Sequence, residues 1–397
     1  MNEQYLKVLK ETNEESLISL VTDLIMIESH KEIATEEKEI AEFIYNVLKR
    51  EGIDVELDTV FNGRPNVYAS IGNKSGGKKL MLNGHIDTVP AYDMVNPFLP
   101  VIKDERIYGR GAADMKAAIG AMIMTLIAIK RAGVPLNGEL IFTGVIDEEK
   151  KCRGTERIVN KSFPFADYAL IGEPTNLSIV NGHKGMEWIE VTIHGKSTHG
   201  CNPDKGVNAI LKAAKFLDKI EEQLVPKLQK REHSVLGQPT LNVGLINGGV
   251  DPNVVPGECK IQIDRRWVPE ENIESMQNDF LEVIADLKLT DGDFDAEVRR
   301  MSEAILWESH APLYTPVDHP FTKALHEAVE IATNKQPSYS IFPGWTDGAQ
   351  LSNAGITSLV CGPGDVKQAH SCHEFVEVSQ ISEALRTYIA AALKVCL

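Results

Sequence analysis

Two acids stand side by side at Glu148 and Glu149, in the run VIDEEK, directly after the apolar stretch 140–146. Upstream lie His85 and Asp87 in GHIDTVP and Asp114 in GRGAADMK; downstream lie Glu173 in IGEPT and His370 in AHSCHE. Each follows a short apolar run or opens a helix, which is where an α/β sheet exposes its strand ends. Mixed histidine and carboxylate donors suit zinc, and acids outnumbering histidines suit two metals that share a bridging carboxylate. The chemistry indicated is metal-assisted hydrolysis. His85 and Asp87 are two apart on an extended segment and so point the same way, which lets Asp87 hold the second ring nitrogen and fix the tautomer. Asp114 is expected to begin a long helix, whose dipole favours a carboxylate there. Glu148 and Glu149 are adjacent, so their side chains must diverge. One can face the metals and the other the attacking water, for which a carboxylate is base enough. Pro174 fixes the turn that presents Glu173.

The elements that must place these residues are legible in outline. Residues 15–29 and 35–50 carry apolar positions at helical spacing, and Gly52 ends the second helix. Residues 55–60, 67–71, 79–83, 140–146 and 168–171 read as strands, and 114–132 as a buried helix. This alternation predicts an α/β sheet with its site at the strand ends. The texture then changes. Residues 188–193 alternate with period two, a helix follows at 206–224, strands at 240–246 and 259–263, and an amphipathic helix at 272–287. That order predicts an α+β insert, an antiparallel sheet with two helices on one face. The α/β pattern resumes with a helix at 321–332, a strand at 357–361 and a C-terminal helix at 379–395. The expected domains are 1–181 with 294–397, and the insert 182–293.

At 397 residues the chain is long for one core, and its 43% hydrophobic and 25% charged content is that of an ordinary globular protein. A formal net charge of −16 repels phosphate backbones and disfavours nucleic-acid binding. The opening MNEQYLKVLKETNEES has neither the basic nor the apolar region of a secretory signal. The longest apolar run, 117–129, is roughly 13 residues, short of the roughly 20 a bilayer needs. The six cysteines show no CxxC spacing and read as reduced thiols. The expectation is a cytoplasmic protein acting on a small molecule, with no nucleic-acid or membrane partner. Cys372 reads as a buried or outer thiol.

In order, GHIDTVP, GRGAADMK, DEEK, GEPT, GHKG, STHG with NPDKGVNAI, NVVP and AHSCHE resemble the M20 metallopeptidase and amidohydrolase family, over about residues 15–387. Acetylornithine deacetylases, succinyl-diaminopimelate desuccinylases and carboxypeptidases belong to it. The resemblance implies a catalytic domain with a central mixed sheet flanked by helices, plus an inserted lid or dimerisation domain. It implies two Zn2+, with Co2+ or Mn2+ possible: His85, Asp114 and Glu173 on one, and Asp114, Glu149 and His370 on the other. Glu148 would be the general base, and Asp87 would orient His85. His370 is favoured over His373, which stands where the family usually has Asp or Asn. His199 in STHG matches an imidazole that helps hold the oxyanion, and Asn253 in NVVP and Arg266 in DRRW match residues that grip the substrate. An arginine fork suits a carboxylate. The implied reaction is hydrolysis of an N-acyl amino acid bearing a free α-carboxylate, with a di- or tripeptidase or carboxypeptidase as the alternative. A homodimer through 182–293 is implied, in which His199 serves the other subunit. Trp345, Thr346 and Asp347 stand where several members have small residues, and the aromatic puts the acyl group in question.

Overall fold

The computed structural model describes residues 2–161, 165–301 and 310–397. Its strands are β1 (Asp54–Phe61), β2 (Arg64–Gly72), β3 (Lys79–His85), β4 (Val101–Lys103), β5 (Arg106–Tyr108), β6 (Glu139–Val145), β7 (Tyr168–Ile171), β8 (Ile179–His183), β9 (Gly185–His194), β10 (Thr240–Gly248), β11 (Glu258–Trp267), β12 (Asp295–Arg300), β13 (Leu313–Tyr314), β14 (Tyr339–Ile341), β15 (Thr357–Val360) and β16 (Phe375–Glu377). The chain divides into two compact units, one of residues 1–182, 313–342 and 346–397, the other of 183–312 and 343–345.

The first unit is built on a mixed sheet in the order β1-β2-β6-β3-β7-β15-β8-β13, with β14 on β8. Its centre is parallel: β3 pairs with β6 and β7, and β15 with β7. The central strands are buried from Leu80 to His85 and from Glu139 to Val145, and they read as apolar runs because helices cover both faces of a parallel sheet. The helix Ala117–Ala132 is the apolar run of the sequence, and almost every one of its side chains is buried in the core. It lies close to the sheet because glycine stands where it approaches, Gly84 in β3 and Gly172 just past β7. A Cβ on Gly84 would meet the Ile119 Cδ1 at 2.8 Å, and one on Gly172 would meet the Met122 Cε at 2.6 Å. The C-terminal helix Val378–Cys396 and the helix Pro320–Thr333 complete this core. The short strands β16-β5-β4 form a separate sheet in the same unit.

The second unit is an antiparallel sheet in the order β10-β11-β9-β12. The inward residues Ile189, Val191, Ile193, Ile261 and Ile263 pack against Phe216 of helix Ala209–Lys219 and Phe280 of helix Ile273–Thr290. The sequence placed the end of this unit at Asp293. The unit instead runs on through β12 to Pro312, because β12 pairs with β9 from Asp295 to Arg300 and its Ala296 and Val298 pack on the sheet's core. One further expectation changes. The regular helix begins at Ala117 and not at Asp114, whose φ −123° and ψ 94° are extended. Asp114 is therefore held by a loop and not by a helix N-terminus.

Candidate metal centre

The register of the parallel strands assembles the site. His85, the last residue of β3, stands beside Val145, the last of β6, and Glu148 and Glu149 follow three and four residues on. Ile171 ends β7 on the other side of β3, and Glu173 follows it by two. The segment after β15 brings His370, whose backbone takes the left-handed conformation at φ 62°, an uncommon one for a non-glycine residue.

His85, Asp114 and Glu173 offer donor atoms that lie within 4.8 Å of one another, and so do Asp114, Glu149 and His370. Asp114 is common to both groups. Its Oδ1 is 2.9 Å from His85 Nε2 and its Oδ2 is 3.4 Å from His370 Nε2. Glu173 Oε1 is 3.7 Å from His85 Nε2, and Glu149 Oε1 is 3.0 Å from His370 Nε2. His373 is exposed, and neither it nor Cys372 belongs to either group.

The side chains of the two adjacent acids do diverge. Glu149 reaches His370, whereas Glu148 groups with Cys152 and Asp347. Asp87 is placed otherwise than expected. His85 Nδ1 is 3.0 Å from the Asp87 main-chain carbonyl and 3.6 Å from its carboxylate. The carboxylate accepts the main-chain N–H groups of Glu148 at 3.2 Å and Glu149 at 3.0 Å.

The electrostatics of this cluster are those of a cation site. Among the described residues, no lysine or arginine pairs with Asp114, Glu148, Glu149 or Glu173. Burial pushes the Glu148 and Glu173 carboxyls well above their ordinary range, and neighbouring carboxylates add to the rise. Glu149 is raised for the same two reasons. Burial opposes ionisation of Asp114 too, yet the two imidazoles hold it well below that range. His370 is pushed up to about 10 by its bonds to Asp114 and Glu149. His85 also rises well above its usual value, since Asp114, Asp87 and Glu173 outweigh its burial. Crowded acids with two imidazoles and no fixed cation fit a pair of divalent metals by charge and by donor type.

Several residues around the site have roles that the sequence alone does not indicate. Asp347 is buried, accepts a 2.7 Å hydrogen bond from Thr155 Oγ1, and is pushed up to about 7 by burial. Arg64 bonds Glu37 and, at 2.9 Å, Asp147, which with Arg153 fixes the residue just before the acid pair. Glu374 grips the loop that carries Asp114.

His199, Asn253 and Arg266 all lie in the second unit. His199 and Asn253 are neighbours there: Gly200 donates its N–H to the Asn253 carbonyl at 2.7 Å, and His199 bridges Val254. Both are exposed. Arg266 is half-buried and pairs with Asp264 at 3.1 Å. Trp345 donates its indole N–H to the Ala311 carbonyl and meets His310 edge-on at 4.5 Å.

Comparison with known proteins agrees with this fold. The model of peptidase family M20/M25/M40 matches residues 81–394. An acetylornithine deacetylase of Aliivibrio salmonicida is 31% identical over 358 residues, which cover 87% of this chain and 88% of that protein. Aminopeptidase PepT of Bacillus cereus has the same fold, with a TM-score of 0.81 at 22% identity over 97% of this chain and 99% of its own. So has YXEP of Bacillus subtilis, a dinuclear metal-binding peptidase of family M20, with a TM-score of 0.71 at 17% identity over 97% and 99%. With a matching family model across most of its length and the α/β architecture of these neighbours, the chain belongs to peptidase family M20/M25/M40 and is a metal-dependent hydrolase of the amidohydrolase and peptidase type.

Proposed function

We propose that the protein is a dizinc hydrolase that cleaves the amide bond of an N-acyl amino acid with a free α-carboxylate. The observation that carries this reading is the sharing of Asp114 between two donor groups. His85 and Glu173 would complete one metal site, and Glu149 and His370 the other, with Co2+ or Mn2+ able to take the place of Zn2+ on the same donors. Bound metals would polarise the scissile carbonyl and lower the pKa of the attacking water. Glu148 then takes the proton from that water and delivers it to the departing amine. It is suited to this because it stands beside the ligand Glu149 and belongs to neither ligand group. His199 donates to the developing oxyanion, and Arg266 with Asn253 holds the substrate carboxylate. The acyl group of the substrate is acetyl in the leading reading, in line with the deacetylase relative.

The protein acts as a homodimer through its second unit. Strand β10 is a sheet edge, and Leu245, Ile246 and Val250 are exposed on it or just beyond, with Ile210 and Leu211 exposed on the adjoining helix. A free edge with apolar side chains is suited to pairing with its twin.

A second reading, di- or tripeptidase or carboxypeptidase on the same centre, is favoured by the fold's likeness to aminopeptidase PepT. The test is metal analysis of protein purified without added metal, together with a panel of N-acetyl, N-succinyl and N-formyl amino acids, dipeptides and tripeptides scored by amine release. Two metals per chain with turnover of acyl amino acids is the expected result. Turnover confined to peptides transfers the assignment to the second reading, and a chain that holds no metal overturns both.

A further inference from the structure

We infer that Glu374 is a positioning residue for the metal centre, one that sets the bridging carboxylate of Asp114 by gripping the backbone around it. The inference rests on the two-metal reading given above. Glu374 is fully buried. Its Oε1 accepts the N–H of Ala113 at 2.9 Å and that of Asp114 at 3.1 Å. Its Oε2 accepts the N–H of Gly111 at 3.1 Å and the Arg110 guanidinium at 2.7 Å. Each carboxylate oxygen thus takes two donors, and three of the four come from the main chain of the loop that ends in Asp114.

The loop has no helix to set its geometry, since Asp114 and Met115 are non-helical and regular helix starts at Ala117. The direction in which Asp114 leaves the chain is therefore fixed from outside, and Glu374 supplies what fixes it. Glu374 comes from the segment of His370, four residues earlier, and leads into β16, which pairs with β5 just before the loop. Its own carbonyl accepts the N–H of Gly109 at 3.2 Å. The same knot reaches a third segment. Arg110, likewise fully buried, donates to the carbonyls of Pro90 at 3.1 Å and Ser371 at 3.2 Å. The stretches bearing His85, Asp114 and His370 are tied together through one buried Arg–Glu pair. Without Glu374, Asp114 keeps its carboxylate but loses its fixed bearing toward two donor groups at once.

The test titrates Zn2+ alone into metal-free E374Q, E374D and E149Q in competition with a chromophoric chelator, beside melts of the metal-free proteins. In E374Q an amide nitrogen faces either the Gly111 N–H and Arg110 or the other two N–H groups, so an acceptor that took two hydrogen bonds becomes a donor. Zn2+ binding is expected to weaken by about 10- to 100-fold, the effect seen when a group that orients a ligand is lost. E374D keeps the charge against Arg110 but is one methylene shorter; it should fold and fall between E374Q and wild type. Should E374Q fail to fold, E374D decides the matter. A purely structural role would lower the melting temperature and leave Zn2+ affinity at the wild-type value in both variants, and that result overturns the inference. E149Q separates this failure from failure of the two-metal reading. It should bind one Zn2+ fewer, and if it binds as many as wild type, the ligand assignment falls and the role of Glu374 with it.

Discussion

The carboxylate of Asp87 holds the main-chain N–H of Glu149 at 3.0 Å and that of Glu148 at 3.2 Å, while its own carbonyl, 3.0 Å away, is the partner of His85 Nδ1. One residue thus orients a histidine with its backbone and aims two acids with its side chain. In Asp87→Asn one acceptor becomes a donor facing an N–H, and the acid pair must shift. We expect kcat to fall by about 10- to 100-fold with a much smaller change in KM, since no substrate contact is removed. Steady-state kinetics decides it, and a loss carried by KM alone would argue against the assigned role.

Glu148→Gln should retain both metals and lose turnover. The change removes the proton acceptor and leaves Asp114, Glu149, Glu173, His85 and His370 in place. Activity is expected to drop by roughly 10²-fold or more, with metal content at the wild-type level. Full activity in this variant would end the general-base assignment.

Arg266→Ala should discriminate between substrates. Loss of a charge-assisted contact costs about 1.5–3 kcal/mol, and it should fall on substrates with a free α-carboxylate and spare their amides. Paired kcat/KM values for the two substrate types measure it. Equal losses would mean that Arg266, which already pairs with Asp264, does not read the carboxylate.

Metal removal should destabilise the protein in a pH-dependent way. In the metal-free protein Glu148, Glu149 and Glu173 titrate above their ordinary value of 4.5. Their contribution is fully present below that value and is lost as pH rises through the folded-state pKa, because the folded chain holds more protons over that interval. His370, raised from 6.5 to about 10, contributes stability that is present below 6.5 and lost as pH climbs through about 10. Both trends have the same sign. The gain in melting temperature on adding Zn2+ should therefore be larger at about pH 8 than at about pH 5.5. Melts with and without chelator at both pH values check this, and the reverse order would contradict it.

Subunit exchange tests whether His199 works across a dimer. His199→Ala and Glu148→Gln are each expected to be inactive alone. If His199 serves the partner's metals, one site in each mixed dimer unites an intact Glu148 with an intact His199, and activity returns on mixing. A mixture that stays inactive places His199 in its own subunit's site. A fully active monomer by light scattering removes the proposal.

The fold and the donor groups were legible because the pattern and the packing agree. The runs at 79–83, 140–146 and 168–171 are apolar because parallel strands are covered on both faces, and the polar residues just past them can only be at the strand ends. Glu374 could not be read, because it acts on the backbone of a loop some 260 positions away, with an oxygen geometry that depends on how two segments dock. The extended backbone at Asp114 was hidden for a related reason. Its neighbours are good helix formers, and tertiary contacts overrode that preference. The β12 boundary is different, since the alternation of Ala296 and Val298 is present in the sequence but is short and flanked by charged residues.

The knot that ties His85, Asp114 and His370 has a consequence for biogenesis. His370 and Glu374 follow Asp114 by some 260 positions and are translated well after it. Until they emerge, Glu149 lacks its imidazole, and Asp114 lacks one of its two and the clamp on its backbone. Acquisition of the full metal complement would coincide with docking of the segment that carries His370 and Glu374, and so would report that the first unit has closed.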